Sequence, residues 1–473
     1  MLRPSLRRAK STRKQTMPGH GTYTALFMAH TFATLTTSDS AGGGILLQPR
    51  VPICQGDLAL DVYDEPFRPY AEEYLALPDR TPESVLPWLD HHVRPAIDHF
   101  GDDLLLLAHF YMGGEIVKLV ERYGGVVADS YTLALKARDS QASTIVESAV
   151  HFMAETAAIL ARPDQSVWIT NPRAGCTMEM MAHADVVEPI ADQLIARFGT
   201  HLKALAYMNT SGGLKALAGR TGGAVCTSSN AHIIMRGLWQ ENPRAKLLFL
   251  PDEHLGRNTA VRLGLDTDDI LCLPQAATLE PDWTIDELDQ EALERSRVLL
   301  WGGYCGVHTI FTADMADYWH AQDFAVHVHP ECPLAVVQAA DGAGSTQYLW
   351  NIVSTAPSGS RLAIATEGHF VRNAREHAAR RGVEVVHLAE LPGVVAAGCG
   401  CATMSRNDPP HLAGMLDLLR RGEAPQGHCV RPGDAVDSAT GACRRLEEAA
   451  STRLRDEAAI ALHRMIAFTE ASS

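Results

Sequence analysis

Three cysteines, each behind a short glycine-containing turn, are the residues of this chain best placed to do chemistry. Cys176 ends Arg173-Ala174-Gly175, Cys305 ends Gly302-Gly303-Tyr304, and Cys401 ends Gly398-Cys399-Gly400. Each precedes a segment that reads as helix. Three thiolates converging on one point can hold an iron–sulfur cluster. Such clusters usually take four Cys ligands, so three leave one iron open to a substrate. The neighbouring glycines let backbone approach a bulky cluster and aim amides at its sulfurs. A buried, inert thiol is the plain alternative for any one of them. Repetition at equivalent places argues against it for all three. Zinc is the rival metal, but the usual Cys-x2-Cys pairing is absent. Cys-Gly-Cys cannot easily donate both thiolates to one cubane, so Cys399 and Cys401 compete for the third position. Cys226 and Cys332 end strands and are expected at a pocket wall, whereas Cys54, Cys272, Cys429 and Cys443 read as structural or exposed.

Acid–base and hydroxyl groups accompany the thiols. His109 closes an apolar strand, and Tyr111 shares its orientation if the chain stays extended. Val328-His329-Pro330-Glu331-Cys332 packs a His, a rigid Pro and a carboxylate into one strand-end turn, where an ordinary loop is richer in Gly, Asn or Ser. Tyr207 and Asn209 hold the corresponding place in the middle of the chain. Hydroxyls then open helices at Ser130, at Thr227-Ser228 and at Ser345-Thr346. Ser and Thr cap helices everywhere. At matched places they also read as anion-binding helix N-termini. His151–Ala157 reads as a packed helix start, and Met178, Met180 and Met181 as core.

The elements that position these groups alternate strand and helix. Leu104–Ala108 is a continuous apolar run of strand length, as in a parallel strand covered on both faces. An amphipathic helix follows and ends at Gly124. The alternation continues through Val167-Trp168-Ile169 to Cys176. It restarts at Ala204–Met208 and runs to Cys305, then restarts at Ala325–Val328 and runs to Cys401. The chain is thus a threefold internal repeat. In parallel α/β sheets ligands sit beyond the carboxyl ends of the strands, so three such ends facing one axis make one central site. Asp266–Gln290 reads as a surface insertion. Thr452–Phe468 is amphipathic and is expected to pack back on an earlier domain.

With 473 residues the chain is long enough for about three domains. A net charge of −15 argues against nucleic acid as partner. Scattered cysteines without a dense framework suit a reduced, cytoplasmic protein. No apolar run reaches about 18 residues, so no membrane span is expected. The first sixteen residues are basic, with no acid before Asp39, and read as a dispensable extension.

Taken together these strings resemble quinolinate synthase, the iron–sulfur enzyme family of de novo NAD synthesis. The resemblance is carried in order by Ala-His-Phe-Tyr (108–111), Ala-Asp-Ser (128–130), Phe-Met-Ala-Glu-Thr-Ala (152–157) and Ala-Gly-Cys (174–176). It continues with Tyr-Met-Asn-Thr-Ser (207–211), Cys-Thr-Ser-Ser-Asn-Ala (226–231) and Pro-Asp-Glu-His-Leu-Gly-Arg (251–257). Cys-Gly-Val-His (305–308), Val-His-Pro-Glu-Cys-Pro (328–333), Gly-Ser-Thr (344–346) and a Cys before Met404 complete it.

The resemblance implies an α/β fold of three homologous three-layer αβα domains about a pseudo-threefold axis with a central active site. The expected division is an N-terminal extension (1–90), partly disordered or loosely packed, then domains at 91–180, 181–306 and 307–405. A connecting segment spans 406–449, and a C-terminal helix (450–473) joins the first domain. The resemblance also implies a [4Fe-4S] cluster on Cys176, Cys305 and Cys401, favouring Cys401 over Cys399. The reaction it implies condenses iminoaspartate with dihydroxyacetone phosphate to quinolinate, phosphate and water. His109, Tyr111, His329 and Glu331 map onto proton-handling positions. Ser130, Tyr207, Asn209, Ser228, Ser345 and Thr346 map onto substrate-binding ones. An aspartate-oxidising enzyme is the expected transient partner. The family more often reads Gly-Asp-Ser-Leu where this chain has Ala128-Asp129-Ser130-Tyr131, so Tyr131 is expected at an altered pocket rim. An aconitase-like hydratase and a non-catalytic iron–sulfur redox sensor are the alternatives.

Overall fold

The computed structural model describes residues 45, 47, 50, 56–275, 283–393 and 400–472. The basic stretch at 1–16, Cys54 and Cys399 lie outside the described residues. Two helices come first, α1 (Arg68–Leu75) and α2 (Pro82–Phe100). The first sheet follows with β1 (Leu104–His109), β2 (Val126–Ala128), β3 (Thr144–Ser148) and β4 (Ser166–Ile169). Its strands are joined by α3 (Gly114–Arg122), α4 (Ser130–Asp139) and α5 (His151–Leu160). The short α6 (Thr177–Met180) and α7 (Ala184–Phe198) lead to the second sheet. That sheet has β5 (Leu202–Tyr207), β6 (Ala224–Cys226), β7 (Lys246–Leu250), β8 (Ile270–Cys272) and β9 (Val298–Leu300). Between these strands run α8 (Gly212–Arg220), α9 (Ala231–Glu241), α10 (Glu253–Arg262) and α11 (Gln290–Arg295).

Helix α12 (Ala313–His320) opens the last series: β10 (Ala325–Val328), α13 (Leu334–Ala339), β11 (Gly342–Ala343), α14 (Thr346–Thr355), β12 (Arg361–Ala365), α15 (Gly368–Ala379) and β13 (Glu384–His387). Helix α16 (Pro409–Arg421), a small hairpin of β14 (Ala435–Val436) and β15 (Cys443–Arg444), and α17 (Glu448–Glu470) complete the described chain.

The three large sheets are parallel throughout and share one strand order. They run β2-β1-β3-β4, β6-β5-β7-β9-β8 and β11-β10-β12-β13. Parallel sheets need both faces covered, so their strands read as unbroken apolar runs. Every residue of β7 and of β9 is buried, as are the last four of β1. The shared order fixes the site. In each sheet the first strand ends level with the second: His109 pairs Ala128, Tyr207 pairs Cys226, and Val328 pairs Ala343. The groups just beyond one strand therefore lie beside the helix start just beyond its neighbour.

Four expectations need correction. The segment before residue 90 is not loosely packed where it is described. Tyr63, Phe67, Tyr74, Val85 and Leu89 are buried, and α2 packs on α16. Aromatic anchors precede α2, whose Pro82, Val85, Leu89, Val93 and Ala96 recur at helical spacing and form a buried stripe that the sequence reading passed over. The connecting segment holds α16, most of whose residues are buried. The insertion contributes β8, which extends the second sheet at one edge beside β9. Helix α17 packs mainly on α8 and β6 of the second sheet and more lightly on α5 of the first. Gly219 and Gly237 make that approach close: a Cβ at Gly219 would sit 2.0 Å from the Glu457 carbonyl oxygen, and one at Gly237 2.6 Å from the Phe468 ring. No described helix is long and apolar enough to cross a membrane.

Candidate active site

One cavity receives the strand ends of all three sheets. His109, Tyr111 and Ser130 line it from the first sheet, Tyr207, Asn209 and Ser228 from the second, and His329, Glu331 and Thr346 from the third. Cys176, Cys305 and Cys401 line it as well. Of the expected site residues only Ser345 is not part of the lining. Its buried hydroxyl caps α14, accepting the Tyr348 N–H at 3.4 Å. Cys226 and Cys332 are buried outside the lining. Met178, read as core, both packs and lines the cavity. Tyr131 lies outside the lining, where it hydrogen-bonds to Thr469.

Each cysteine begins a helical turn. The Cys176 carbonyl accepts the Met180 N–H at 3.2 Å, the Cys305 carbonyl the His308 N–H at 3.1 Å, and the Cys401 carbonyl the Ser405 N–H at 2.9 Å. The turns are tied to one another. Arg406 donates to the Arg173 carbonyl at 2.6 Å, Asn171 donates to the Arg406 carbonyl at 2.8 Å, and the Trp301 indole donates to the Met181 carbonyl at 2.8 Å. All eight described cysteines are free.

Burial, then the neighbouring Cys401, push the Cys176 thiol up, while the Met178 and Glu179 N–H groups facing its sulfur pull the other way. Burial, Glu331 and the other two thiols push Cys305 well up. Thiols crowded and buried in this way stay protonated unless a cationic group takes them. The donor set and its amide surroundings therefore fit a cluster better than an inert core. Donor atoms of Cys305, His308 and Glu331 also lie within 4.8 Å of one another, a geometry open to a single ion.

A row of close polar contacts runs beside the cavity from the first sheet toward the third, although His308 Nδ1, near Glu331, has no well-aligned hydrogen bond among the described residues. The Tyr111 hydroxyl meets Thr366 Oγ1 at 2.7 Å, and Thr366 Oγ1 meets His308 Nε2 at 3.2 Å. His308 Nδ1 lies 2.7 Å from Glu331 Oε2, and Tyr207 donates to Glu331 Oε1 at 2.6 Å. Burial pushes the Glu331 carboxyl up, but the facing His329 and His308 rings and the Tyr207 hydroxyl outweigh it and hold it below its ordinary range. His109 and His329 are held neutral by burial, down to about 4 and about 3. Their Nδ1 atoms accept the N–H two residues on, from Tyr111 at 3.2 Å and from Glu331 at 3.4 Å. The neutral rings therefore carry their proton on Nε2. Asn209 Oδ1 is buried with no hydrogen-bond partner among the described residues. A buried acceptor left open on a cavity wall is a place for a ligand donor.

The helix starts are built for the cavity too. Thr227 N–H donates to Asn230 Oδ1 at 2.7 Å, and Asn230 Nδ2 donates to Thr469 on α17 at 3.1 Å. Behind the Cys176 side, His151, Glu155 and Glu179 bring donor atoms within 4.8 Å, and buried Lys215 supplies the opposing charge. Lys215 Nζ donates to the Thr210 carbonyl at 2.5 Å, and Glu155 accepts the Gly212 N–H at 2.7 Å and the Gly433 N–H at 2.8 Å.

Known proteins share this sequence over most of its length. The family model described as quinolinate synthetase A protein matches residues 96–432. The chain belongs to this family. The quinolinate synthase of Corynebacterium glutamicum is 37% identical over 363 residues, which is 76% of this chain and 87% of that protein. That of Geobacillus sp. (strain WCH70) is 38% identical over 380 residues, 78% of this chain and 96% of the relative. That of Geobacillus kaustophilus is 39% identical over 339 residues, 71% and 86% respectively. This member of the quinolinate synthetase A family is therefore an enzyme of NAD biosynthesis.

Several residues around the cavity were not singled out from sequence. His308 stood inside a quoted motif without a role, although it lies three residues after Cys305 and would face the same way on a helical turn. Asp252, like His308, stood inside a quoted motif without a role, while Thr366 and Asn258 carry no local signal. Asn258 holds the His329–Cys332 turn from α10, donating to the carbonyls of Pro330 and Cys332, both at 2.8 Å.

Proposed function

We propose that this chain condenses iminoaspartate with dihydroxyacetone phosphate, giving quinolinate, phosphate and water, on a [4Fe-4S] cluster held by Cys176, Cys305 and Cys401. The observation that carries the reading is one cavity lined by three free thiols and by the ends of three parallel sheets. When bound, the cluster supplies a Lewis-acidic iron with an open position for a substrate oxygen. The protein's part is binding and proton handling. The N–H groups at the starts of α4, α9 and α14, with the hydroxyls of Ser130, Ser228 and Thr346, receive carboxylates and phosphate. Asn209 Oδ1 accepts from a substrate N–H or O–H. Glu331 is the base, and Tyr207 and His308 stabilise its charge. His109 and His329, neutral and protonated on Nε2, hydrogen-bond from Nε2 to substrate oxygens that gain negative charge and keep their own proton. Tyr111, joined to Glu331 through Thr366 and His308, returns protons across the cavity. An aspartate-oxidising enzyme supplies the unstable imine, and the reaction belongs to the cytoplasm.

Anaerobic purification with iron and sulfide analysis tests the metal, and quinolinate formation from dihydroxyacetone phosphate tests the reaction. Cys176→Ser, Cys305→Ser and Cys401→Ser should each lose most of the iron. Glu331→Gln should keep it and lose turnover by about 100-fold or more. Near-normal turnover in Glu331→Gln removes that residue from the base role. The compact Cys305–His308–Glu331 group favours a single divalent ion as second reading. One metal per chain without sulfide would establish it.

A further inference from the structure

Two buried carboxylates stand behind the thiols at corresponding points of the second and third sheets. Asp252 follows β7 and is the N-cap of α10, while Glu367 follows β12 and is the N-cap of α15. Both are fully buried. Each divides its two oxygens between two tasks. Asp252 Oδ1 accepts the Leu255 N–H of its own helix at 2.6 Å, and Oδ2 accepts the backbone N–H of Cys305 at 3.1 Å. Glu367 Oε2 accepts the Phe370 N–H at 3.0 Å, and Oε1 accepts the backbone N–H of Cys401 at 2.8 Å. His369 Nδ1 holds that same Oε1 at 2.8 Å.

The glycines beside these cysteines answer to the same contacts. At Gly400, with φ +93°, a Cβ would fall 2.4 Å from Glu367 Oε1. At Gly303 it would fall 2.4 Å from the Pro251 carbonyl oxygen. In the first sheet the corresponding N-cap is Val150, whose apolar side chain can hold nothing, and the loop is held instead by the His151 N–H on the Ala174 carbonyl at 2.8 Å.

We propose that Asp252 and Glu367 are positioning residues for the metal-binding thiols, clamping Cys305 and Cys401 to the sheets through their backbone N–H groups. The inference rests on the iron–sulfur reading and adds to it a reason why two of the three ligand loops are preset without metal. The clamp is geometric. It needs an acceptor oxygen facing the cysteine amide, and it works whichever protonation state the acid takes. Partners of this kind, one bond removed from the ligands, are typically worth about 10- to 100-fold in metal affinity.

Asp252→Ser and Glu367→Ser separate the two tasks. Serine caps a helix about as well as aspartate but is too short to reach the cysteine amide. The readouts are iron and sulfide per chain after anaerobic purification, and the rate at which a ferrous chelator bleaches the visible absorbance. The denaturation midpoint of the metal-free chain is measured in parallel. Both variants should lose iron about 10- to 100-fold faster than the parent, while the metal-free midpoint stays put. Variants that hold iron as long as the parent overturn the clamp and leave the cluster reading intact. A parent that holds no iron overturns the cluster reading itself. If the serine variants unfold, Asp252→Thr and Glu367→Thr serve, because threonine still caps the helix, fills more of the space and is too short to reach the cysteine amide. Unchanged iron retention in these refutes the clamp equally.

Discussion

Glu147 lies on β3, an interior strand of the first sheet, almost wholly out of water, and its Oε2 has no hydrogen-bond partner. Burial alone pushes its carboxyl from the ordinary 4.5 up to about 8. In the unfolded chain the group loses its proton near pH 4.5, whereas the folded chain keeps it until about pH 8. Between those values the native state binds the extra proton, so rising pH favours unfolding. The stability this group contributes is full below pH 4.5 and is lost as pH climbs through about 8. Each pKa unit corresponds to about 1.4 kcal/mol. Integrated from about pH 5 to about pH 8, the penalty is about 3.5 kcal/mol. Glu147→Gln removes the titration while keeping size and shape. Urea unfolding of metal-free wild type and variant at both pH values gives the comparison, because all other titrations cancel in the difference. The variant should be close to wild type at the acid end and gain about 3–4 kcal/mol relative to it at the alkaline end. Curves that run parallel within about 1 kcal/mol would mean that the carboxyl finds water or a partner in the folded state, and the reasoning fails.

Two further outcomes are expected. Lys215→Met strands Glu155 and Glu179 without their buried cation and should cost about 3–5 kcal/mol, read as a lower urea midpoint of the metal-free chain; a loss under about 1 kcal/mol would show the acids to be neutral in the fold. Thr366→Val cuts the bridge between Tyr111 and His308 while keeping shape, and should lower kcat by about 10- to 100-fold with iron content unchanged; wild-type kcat would show that protons take another route.

The strands that carry chemistry were legible because a parallel sheet buried on both faces writes itself as apolar runs, and the polar residue that breaks each run marks the cavity. His109, Tyr207 and the His329–Glu331 turn stand at such breaks. The thiols were legible through their glycines, and the close contacts at Gly303 and Gly400 give the physical reason. Ser345, which caps α14, and Thr346, which lines the cavity, look the same in sequence; only the helix direction separates them. Thr366, Asp252 and Glu367 were illegible for another reason. Each acts on a residue at least 34 positions away, Glu367 on Cys401 being the nearest such pair. Such pairings exist only once the sheets meet. The early anchors of the segment 56–90 are single aromatic side chains, while the periodic face of α2 only begins there and continues past residue 90.

Thr469 on α17 touches both Tyr131 and Asn230, and through them the starts of two helices that open on the cavity. Translation reaches Thr469 after every other residue that shapes the pocket. The walls that the first and second sheets give the cavity are therefore fixed only once α17 has docked behind them.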